Sequence, residues 1–181
     1  MTGLRLEELS ASTVVAANNL TLKPGQEQYV APVSHSIAEA YVNPTTAWPR
    51  VVIDDDEVVG FIMGNFDAES DDDTLRSCIW RMNVAADQQG QGIGRFAVHA
   101  LADEARLRGF DRLTVVYEPG DDGPEEFFRH IGFEVVGETP YGEHFAALTL
   151  MPGSGTGTGT RRPRRRRRTS SRGPRGRPRP R

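Results

Sequence analysis

The sequence predicts an α/β protein with a mixed, mostly antiparallel sheet of about seven strands and flanking helices. Short apolar runs rich in β-branched residues outnumber the helical patterns, so strands predominate. In mid-chain a strand is followed by a glycine-rich segment, a helix and another strand, an order that pairs two strands in parallel. Hydrophobic residues make up 37% of the 181 residues, which is enough for one core.

The first third of the chain predicts one strand, one turn and two helices. In chain order these are a strand around Leu4 and Leu6, a helix over 11–20, a Lys-Pro-Gly turn at 23–25 and a helix over 36–42. Alternation of polar and apolar residues indicates the strand, and apolar residues at helical spacing indicate the helices. Ser34 or Ser36 is the expected N-terminal cap of the second helix.

The middle of the chain predicts a hairpin and a central strand. Apolar, β-branched runs over 51–54 and 58–66 flank a turn at 55–57, which is typical of two paired strands. The acidic stretch 69–73 is expected to be a loop that leads into a strand over 75–84.

The last third predicts two helices and three strands. Apolar positions keep a helical period from Ile93 to Ala105, and Gly109 is expected to end that helix. The following elements are a strand over 113–117, a short helix over 124–131 with Pro124 in its first turn, and strands over 133–136 and 145–150.

Composition divides the chain after Pro152. Residues 1–152 are predicted to form one domain. Residues 153–181 combine a Gly/Thr linker with a tail of Arg, Pro, Gly, Ser and Thr, and none of these side chains can build a core. That segment is therefore predicted to be disordered.

Charge follows the same division. The tail holds 12 of the 22 basic residues and no acidic one, whereas residues 1–152 hold the other ten and all 25 acidic residues, a net charge of −15. An acidic body attracts cationic small molecules. The tail offers electrostatic contact with nucleic acid, without aromatic residues to stack on bases. Two alternatives are favoured over that role: a tail folded over the acidic body, and an extension without function.

Several classes of protein and site are not expected. The single cysteine, Cys78, excludes an internal disulfide and a cysteine-cluster zinc site, and its apolar neighbours indicate a buried strand thiol. We expect no metal. No run of 18 apolar residues occurs, and the first residues lack a basic start followed by an apolar stretch. The expectation is a cytoplasmic protein without a signal peptide, membrane span or membrane partner.

The feature that indicates function is the segment Gln-Gln-Gly-Gln-Gly-Ile-Gly at 88–94, which lies between a predicted strand and a predicted helix. Glycines at 90, 92 and 94 let backbone N–H groups face a bound anion. The first turn of the helix adds unpaired N–H donors and the positive end of the helix dipole. The segment therefore predicts a cradle for a pyrophosphate.

Other phosphate-binding motifs fit this segment less well. A nucleotide-triphosphate P-loop would place Lys and then Ser or Thr after the glycines. A dinucleotide-binding fold would place GxGxxG after the first strand of a βαβ unit. Here the spacing is GxGxG and the segment lies in mid-chain.

Residues 89–94, QGQGIG, match the Q/R-x-x-G-x-G/A motif, and the chain therefore resembles the GNAT superfamily of N-acetyltransferases. The likeness extends over nearly all of residues 3–150 and includes the later FFRHIGF segment. Within the superfamily the chain looks most similar to bacterial spermine/spermidine N-acetyltransferases. The segments that carry this finer likeness are GQEQYVAP at 25–32 with Ser36 and Glu39-Ala40, VVGFIM at 58–63, IWRMNV at 79–84 and YEP at 117–119.

The resemblance implies acetyl-CoA as the co-substrate. Its pyrophosphate would contact the backbone N–H groups of Gln89, Gly90, Gln91, Gly92, Ile93, Gly94 and Arg95. Its pantetheine arm would pair with the backbone of Met82, Asn83 and Val84. The two parallel strands, 75–84 and 113–117, would part to open a slot where thioester and amine meet. Asp121 falls where the family often has an Asn that contacts the cofactor, and it keeps the acceptor but loses the amide donor.

The chemistry needs an ammonium to lose a proton and a thiolate to gain one. An alkyl amine with a lysine-like pKa is neutral in only about 0.1% of molecules at pH 7, so a base or a water chain is required. The family's thiol-protonating tyrosine corresponds to Phe128 here, which cannot donate a proton. Tyr117, Tyr141 and a water molecule are available as substitutes, and unassisted departure of the thiolate is the alternative. His144 is a candidate base, and Glu143 is a candidate catalytic residue that holds the cationic nitrogen of the amine.

The amine is expected to contact the loop after the first helix, the second helix and the final strands. Glu27 is a candidate for holding a cationic nitrogen, and Trp80 for packing against a cation. Trp80 and Arg81 are expected to face opposite sides of their strand.

The predicted function is acetyl transfer from acetyl-CoA to a small-molecule primary amine, with a polyamine such as spermidine or spermine preferred. The alternatives are an aminoglycoside or protein amine as acceptor, and an acyl-CoA-binding protein with weak catalysis. A homodimer is left open.

Overall fold

The computed structural model describes residues 3–150, which form a seven-stranded sheet in the order β1-β2-β3-β4-β5-β7-β6. The strands are β1 Arg5–Glu8, β2 Ala47–Asp54, β3 Glu57–Phe66, β4 Ser77–Val84, β5 Arg112–Tyr117, β6 Glu134–Glu138 and β7 His144–Thr149. Among the described strands only β4 and β5 pair in parallel, and every other neighbouring pair is antiparallel. The predicted fold class is confirmed.

Five helices and two 3₁₀ turns connect the strands. The helices are α1 Val14–Asn18, α2 Val33–Val42, α3 Asp73–Arg76, α4 Ile93–Leu107 and α5 Glu125–Ile131, and the 3₁₀ turns are Gln26–Gln28 and Ala86–Gln88. Gly109 (φ 88°) and Gly132 (φ 107°) follow α4 and α5 in the left-handed conformation, as expected for helix-ending glycines.

Two helical predictions were wrong at their N-terminal ends. The first helix was expected over 11–20, but Ser10 and Thr13 form a polar turn in which the Ser10 carbonyl accepts from the Thr13 amide (3.2 Å), and α1 starts only at Val14. The second helix starts at Val33 with Pro32 as its N-cap. Because of that early start, the two serines expected as caps, Ser34 and Ser36, lie inside the helix.

The central strand also starts later than predicted. The sequence predicted a loop over 69–73 and a strand from residue 75, whereas Asp72 accepts from the Thr74 amide (2.9 Å) and caps the short helix α3. Strand β4 therefore starts at Ser77. Strand β2 is longer than the predicted 51–54, since it begins at Ala47.

A separate core packs on each face of the sheet. On one face α4 and α5 cover a cluster that includes Ile62, Ile79, Leu101 and Leu113. On the other face α1 and α2 cover a smaller cluster around Phe61. The two faces therefore present different helices to strand β4.

The predicted 153–181 tail lies outside the described residues. Among residues 3–150 no helix combines the length and the apolar character needed to cross a bilayer.

Candidate functional site

Strands β4 and β5 pair only near the start of β4. Cys78 pairs with Thr114 and Ile79 with Val115, and no later pair joins the two strands within the described residues. A β-bulge lies at this point, because Met63 of β3 pairs with Arg81 and Gly64 pairs with Ile79, which leaves Trp80 as the extra residue. A bulge bends its strand and increases the local twist. The predicted parting of the two strands is therefore present, and residues 80–84 form an open edge.

The glycine segment follows this open edge and presents its backbone donors. Within residues 3–150, the amides of 89–95 donate to no hydrogen-bond acceptor. Gly90 (φ 86°) and Gly92 (φ 88°) have left-handed backbones, and Gly92 is the N-cap of α4. A Cβ at either glycine would meet no atom within 4 Å. These residues fit a diphosphate, which needs several N–H donors and open space.

Gly94 serves a different purpose from the other two glycines. A Cβ at this position would lie 3.0 Å from the ring of Phe127, so α4 and α5 approach more closely than a larger residue would allow. The neighbouring guanidinium of Arg95 donates to the His130 carbonyl in α5 (3.3 Å). Helix packing therefore explains this third glycine.

The side chain of Gln89 ties the glycine segment to two other parts of the protein. Its amide nitrogen donates to the Val84 carbonyl (3.1 Å) and to the Gln26 side-chain oxygen (2.7 Å). Its own side-chain oxygen accepts from the Gln26 amide nitrogen (3.1 Å). Gln26, which the sequence analysis did not select, thus couples the loop between α1 and α2 to the glycine segment.

The loop between α1 and α2 reaches both sides of the open slot. On the β4 side, Asn83 donates to the Ala31 carbonyl at 3.4 Å. On the β5 side, the hydroxyl of Tyr29 lies 2.6 Å from the position of a Cβ on Gly120, which only glycine can allow without movement. This loop therefore covers the gap between the strands.

Three of the predicted site residues lie together at the end of β5. The ring of Tyr117 stacks on Phe128, with centroids 5.5 Å apart and an interplanar angle of 18°. The ring of His144 meets Tyr117 edge-on at 5.8 Å. The hydroxyl-bearing ring of Tyr117 is therefore in direct contact with Phe128, for which the resemblance implies a tyrosine position.

Burial alters the pKa of Tyr117. Burial, followed by the nearby Glu125 carboxylate, raises the pKa of Tyr117 above its ordinary value. The phenol is therefore protonated at neutral pH and suits a proton donor. The buried Nδ1 of His144 lies 3.6 Å from an oxygen of Glu125 and has no hydrogen-bond partner within residues 3–150. Sequence reasoning did not select Glu125.

The other predicted contact residues are engaged locally or exposed. Glu143 accepts from the Thr139 hydroxyl (2.9 Å) in the turn between β6 and β7. Exposed Glu27 accepts from the Gly25 amide (3.0 Å) within its own turn. Asp121 is exposed in the loop between β5 and α5. The structure does not bring these three carboxylates together.

The expectation that Trp80 and Arg81 face opposite sides was wrong. Half-buried Trp80 packs against the core on the α1/α2 face, and Arg81 pairs with Glu39 of α2 (2.8 Å). The bulge at Trp80 adds a residue and interrupts the alternation of side chains, so both residues face α2. Met82 and Val84 pack toward α4 instead.

A group of polar side chains between α2 and β4 was not predicted as a site. We name Ser36, Glu39, Arg81 and Asn83 the α2–β4 polar cluster. The helical spacing of Ser36 and Glu39 and the strand spacing of Arg81 and Asn83 each indicate a shared face. Only the fold shows that these two faces meet.

The single thiol lies at the closed end of the slot, where β4 still pairs with β5. Cys78 is buried in β4, as predicted, and burial raises its pKa from 9.0 to about 12. A thiol with this pKa is not a nucleophile at neutral pH. Among the described residues 3–150, no group of three or more His, Cys, Asp or Glu side chains is arranged to hold a metal ion.

Comparison with known proteins agrees with this geometry. A model of the Acetyltransferase (GNAT) family matches residues 18–133. The chain is also similar to the L-2,4-diaminobutyric acid acetyltransferase of Shouchella clausii strain KSM-K16, with 32% identity over 81 residues. That match covers 45% of this chain and only 44% of the relative, so the chain spans less than half of the relative's length.

Solved structures share the fold. The ribosomal-protein-S18-alanine N-acetyltransferase of Escherichia coli has a TM-score of 0.61 at 18% identity, and the match covers 84% of this chain and 97% of that one. The PaiA N-acetyltransferase of Thermoplasma acidophilum, solved in complex with coenzyme A, has a TM-score of 0.63 at 12% identity, with 81% and 99% covered.

Proposed function

Because this chain belongs to the Acetyltransferase (GNAT) family, we propose that it moves an acetyl group directly from acetyl-CoA to a primary amine of a small aliphatic molecule with a second amino group. The expectations of an N-acetyltransferase and of acetyl-CoA as its co-substrate are confirmed at the level of the family. The acceptor and the roles of individual residues are the proposal.

One observation supports the proposal above all others: the open row of amides at 89–95 at the N-terminus of α4. Seven donors that have no acceptor within residues 3–150 match a ligand with two adjacent phosphates. The bonds from Gln89 to Gln26 and Val84 fix the start of this row. The diphosphate of acetyl-CoA binds there in our proposal.

The open edge of β4 receives the pantetheine arm in this proposal. The backbone groups of Met82, Asn83 and Val84 lie beyond the last pair between β4 and β5, so this edge can add a strand-like ligand. The arm leads from the amides of the glycine segment toward the bulge at Trp80. The thioester then lies in the slot between the two strands.

The transfer itself requires no covalent intermediate on the enzyme. The neutral amine nitrogen attacks the thioester carbonyl carbon, a C–N bond forms and the C–S bond breaks. The amine loses one proton and the departing sulfur gains one, so the protons balance. Positioning of two bound substrates supplies much of the rate increase, and proton transfer by placed groups supplies more.

Tyr117 is the proposed acid for the departing sulfur. Its raised pKa keeps the hydroxyl protonated, and its ring stacks on Phe128, so the phenol lies beside the position where the resembling family carries its own tyrosine. His144, which lies against Tyr117 and near Glu125, is the proposed route for the proton of the amine. Asp121 remains a candidate for cofactor contact, and Glu143 remains a candidate for holding the cationic nitrogen of the amine.

The acceptor class follows from two observations. The 25–32 segment favours a polyamine, as the sequence analysis predicted. The Shouchella relative is named for L-2,4-diaminobutyric acid, which also carries two amino groups. Glu27 and Trp80 are proposed contacts for such an amine.

A thiol-release assay tests the proposal. The protein is incubated with acetyl-CoA and, separately, with spermidine, 1,3-diaminopropane, L-2,4-diaminobutyrate and an aminoglycoside, and free thiol is measured. We expect release with at least one diamine and none without an acceptor. Coenzyme A binding without release on any amine would contradict the proposal and support an acyl-CoA-binding protein.

A further inference from the structure

The α2–β4 polar cluster joins two elements through charged and polar side chains. An oxygen of Glu39 accepts from the guanidinium of Arg81 at 2.8 Å, and the two side chains are 22% and 25% exposed. Ser36 is 0% exposed and Asn83 is 4% exposed. Ser36 lies between Ala31, which contacts Asn83, and Glu39 along the segment that packs on β4.

This cluster concentrates the unsatisfied polar atoms of the protein. Within residues 3–150, six buried side-chain atoms have no hydrogen-bond partner, and four of them are Ser36 Oγ, Glu39 Oε2, Arg81 Nε and Asn83 Oδ1. Buried polar groups in native proteins are almost always paired, so four unpaired atoms on two facing elements, α2 and β4, call for partners from outside the protein.

The types of these atoms define that ligand. Glu39 Oε2 and Asn83 Oδ1 are acceptors, which suit an ammonium group with its three N–H donors. Arg81 Nε is a donor, which suits a carboxylate. The Ser36 hydroxyl can pair with either group. An ammonium next to a carboxylate, as in an α-amino acid, carries the donors and acceptors that these four atoms lack.

We infer that the α2–β4 polar cluster binds the α-amino acid group of a diamino acid substrate, whose second amino group is acetylated. The inference rests on the proposed function. The zwitterion inserts between Glu39 and Arg81 and replaces their contact with one partner for each charge. A polyamine would pair with Glu39 and leave the half-buried Arg81 without a counter-charge, which is unfavourable.

The position of the cluster agrees with this role. Arg81 and Asn83 belong to the open edge of β4, beyond the last pair with β5. The amides of 89–95 lead into α4, which packs on the opposite face of the sheet. A cofactor that enters from the α4 side therefore meets an amine that is held on the α2 side.

Two matched amines test the inference. L-2,4-diaminobutyrate is 1,3-diaminopropane with one added carboxylate, so the ratio of their kcat/KM values reports the contribution of that group. We expect the parent protein to favour the diamino acid at least about 10-fold. Arg81→Gln should lower kcat/KM for the diamino acid and raise it for the diamine, because Glu39 then loses its guanidinium partner and keeps only the exposed His35 at 3.5 Å. The ratio should fall to about 1 or below.

Arg50 provides the matched control. Its guanidinium donates to the carbonyl of the preceding residue (2.8 Å), lies over Trp48 and pairs with Glu8 (3.3 Å). Arg81 likewise donates to the Trp80 carbonyl (2.8 Å), lies over Trp80 and pairs with a carboxylate. Arg50→Gln should leave the ratio unchanged. Coenzyme A calorimetry on each variant shows that it is folded.

Ser36→Ala separates recognition from stability. The Ser36 hydroxyl has no partner within the described residues, so its loss should leave the melting temperature unchanged or higher while KM for diaminobutyrate rises about 10-fold. A lower melting temperature with unchanged KM would overturn the inference, as would a parent protein that treats both amines equally or prefers diaminopropane. Release from no amine at all would instead contradict the proposed acetyl transfer.

Discussion

In our proposals, the two sides of the open β4 edge bind their ligands by different means. On the α4 side, the donors are consecutive backbone amides at 89–95, and the sequence of one short segment places them. On the α2 side, the polar atoms belong to side chains of Ser36, Glu39, Arg81 and Asn83, which are far apart in the sequence. The α4 side suits a ligand common to a whole family, and the α2 side suits a ligand that differs between its members.

This difference also separates the effects of substitution. Backbone donors are lost only when the backbone is distorted or the space in front of it is filled. Side-chain contacts are lost with one residue. We therefore expect changes at the glycines to abolish cofactor binding, and changes in the α2–β4 polar cluster to alter the choice of amine while coenzyme A still binds.

The largest expected effect is that of Gly92→Asp. The new carboxylate would enter the open space beside the amides and repel the diphosphate, and we expect coenzyme A affinity to fall on the order of 1,000-fold by calorimetry. Gly109→Asp is the control, since Gly92 and Gly109 share φ 88° and both have open space at the Cβ position. Equal affinities in the two variants would place the diphosphate elsewhere.

An intermediate effect is expected for Tyr117→Phe. Loss of the proposed acid should lower kcat about 100-fold while coenzyme A affinity stays unchanged. Phe128→Tyr in the same chain should restore part of the rate, because the two rings stack. Phe128→Tyr alone should turn over faster than the parent. Tyr141→Phe, at a side chain that is 90% exposed, is the control. An unchanged kcat in Tyr117→Phe would remove this residue from the chemistry.

The smallest effect is expected at Cys78, which lies where β4 still pairs with β5 and therefore belongs to both sides of the slot. Burial raises the pKa of Cys78 to about 12, so the folded state holds the thiol proton more tightly than the unfolded state does. The stability that the protonated thiol contributes is complete below pH 9 and is lost between pH 9 and 12. When the pH rises from 8 to 10.5, the free energy of unfolding should therefore fall by about 2 kcal/mol less in Cys78→Ala than in the parent.

Urea unfolding at the two pH values measures this difference. Ser77→Ala, a change at the adjacent buried and non-titrating residue, should follow the parent. An identical pH dependence in Cys78→Ala and the parent would show that the thiol ionises without cost to the fold. The titration of Tyr117 is common to all three proteins and cancels in the comparison.

Most elements were predictable because they depend on neighbouring residues. The helical period from Ile93 to Ala105 gave α4, and the two apolar runs around residue 55 gave the β2–β3 hairpin. Errors arose where polar side chains formed turns of their own, as at Thr13 and Asp72. Hydroxyl and carboxylate groups compete with the regular backbone pattern at such positions.

The glycine segment could also be predicted from contiguous residues, but the α2–β4 polar cluster could not. The bulge at Trp80 placed two consecutive side chains on one face, against the alternation that a regular strand predicts. Phe128 was noted as an unusual residue, yet its contact with Tyr117 depends on the packing of α5 against β5.

The sequence by itself determined the fold class, the family and the row of amides at the start of α4, because short-range periodicity and glycine backbone freedom are properties of contiguous residues. Only the tertiary structure decided which side chains share the α2 side of the slot. Residues 36–39 and 81–83 contact each other because two independent hydrophobic faces pack together. The sequence of neither segment predicts that contact.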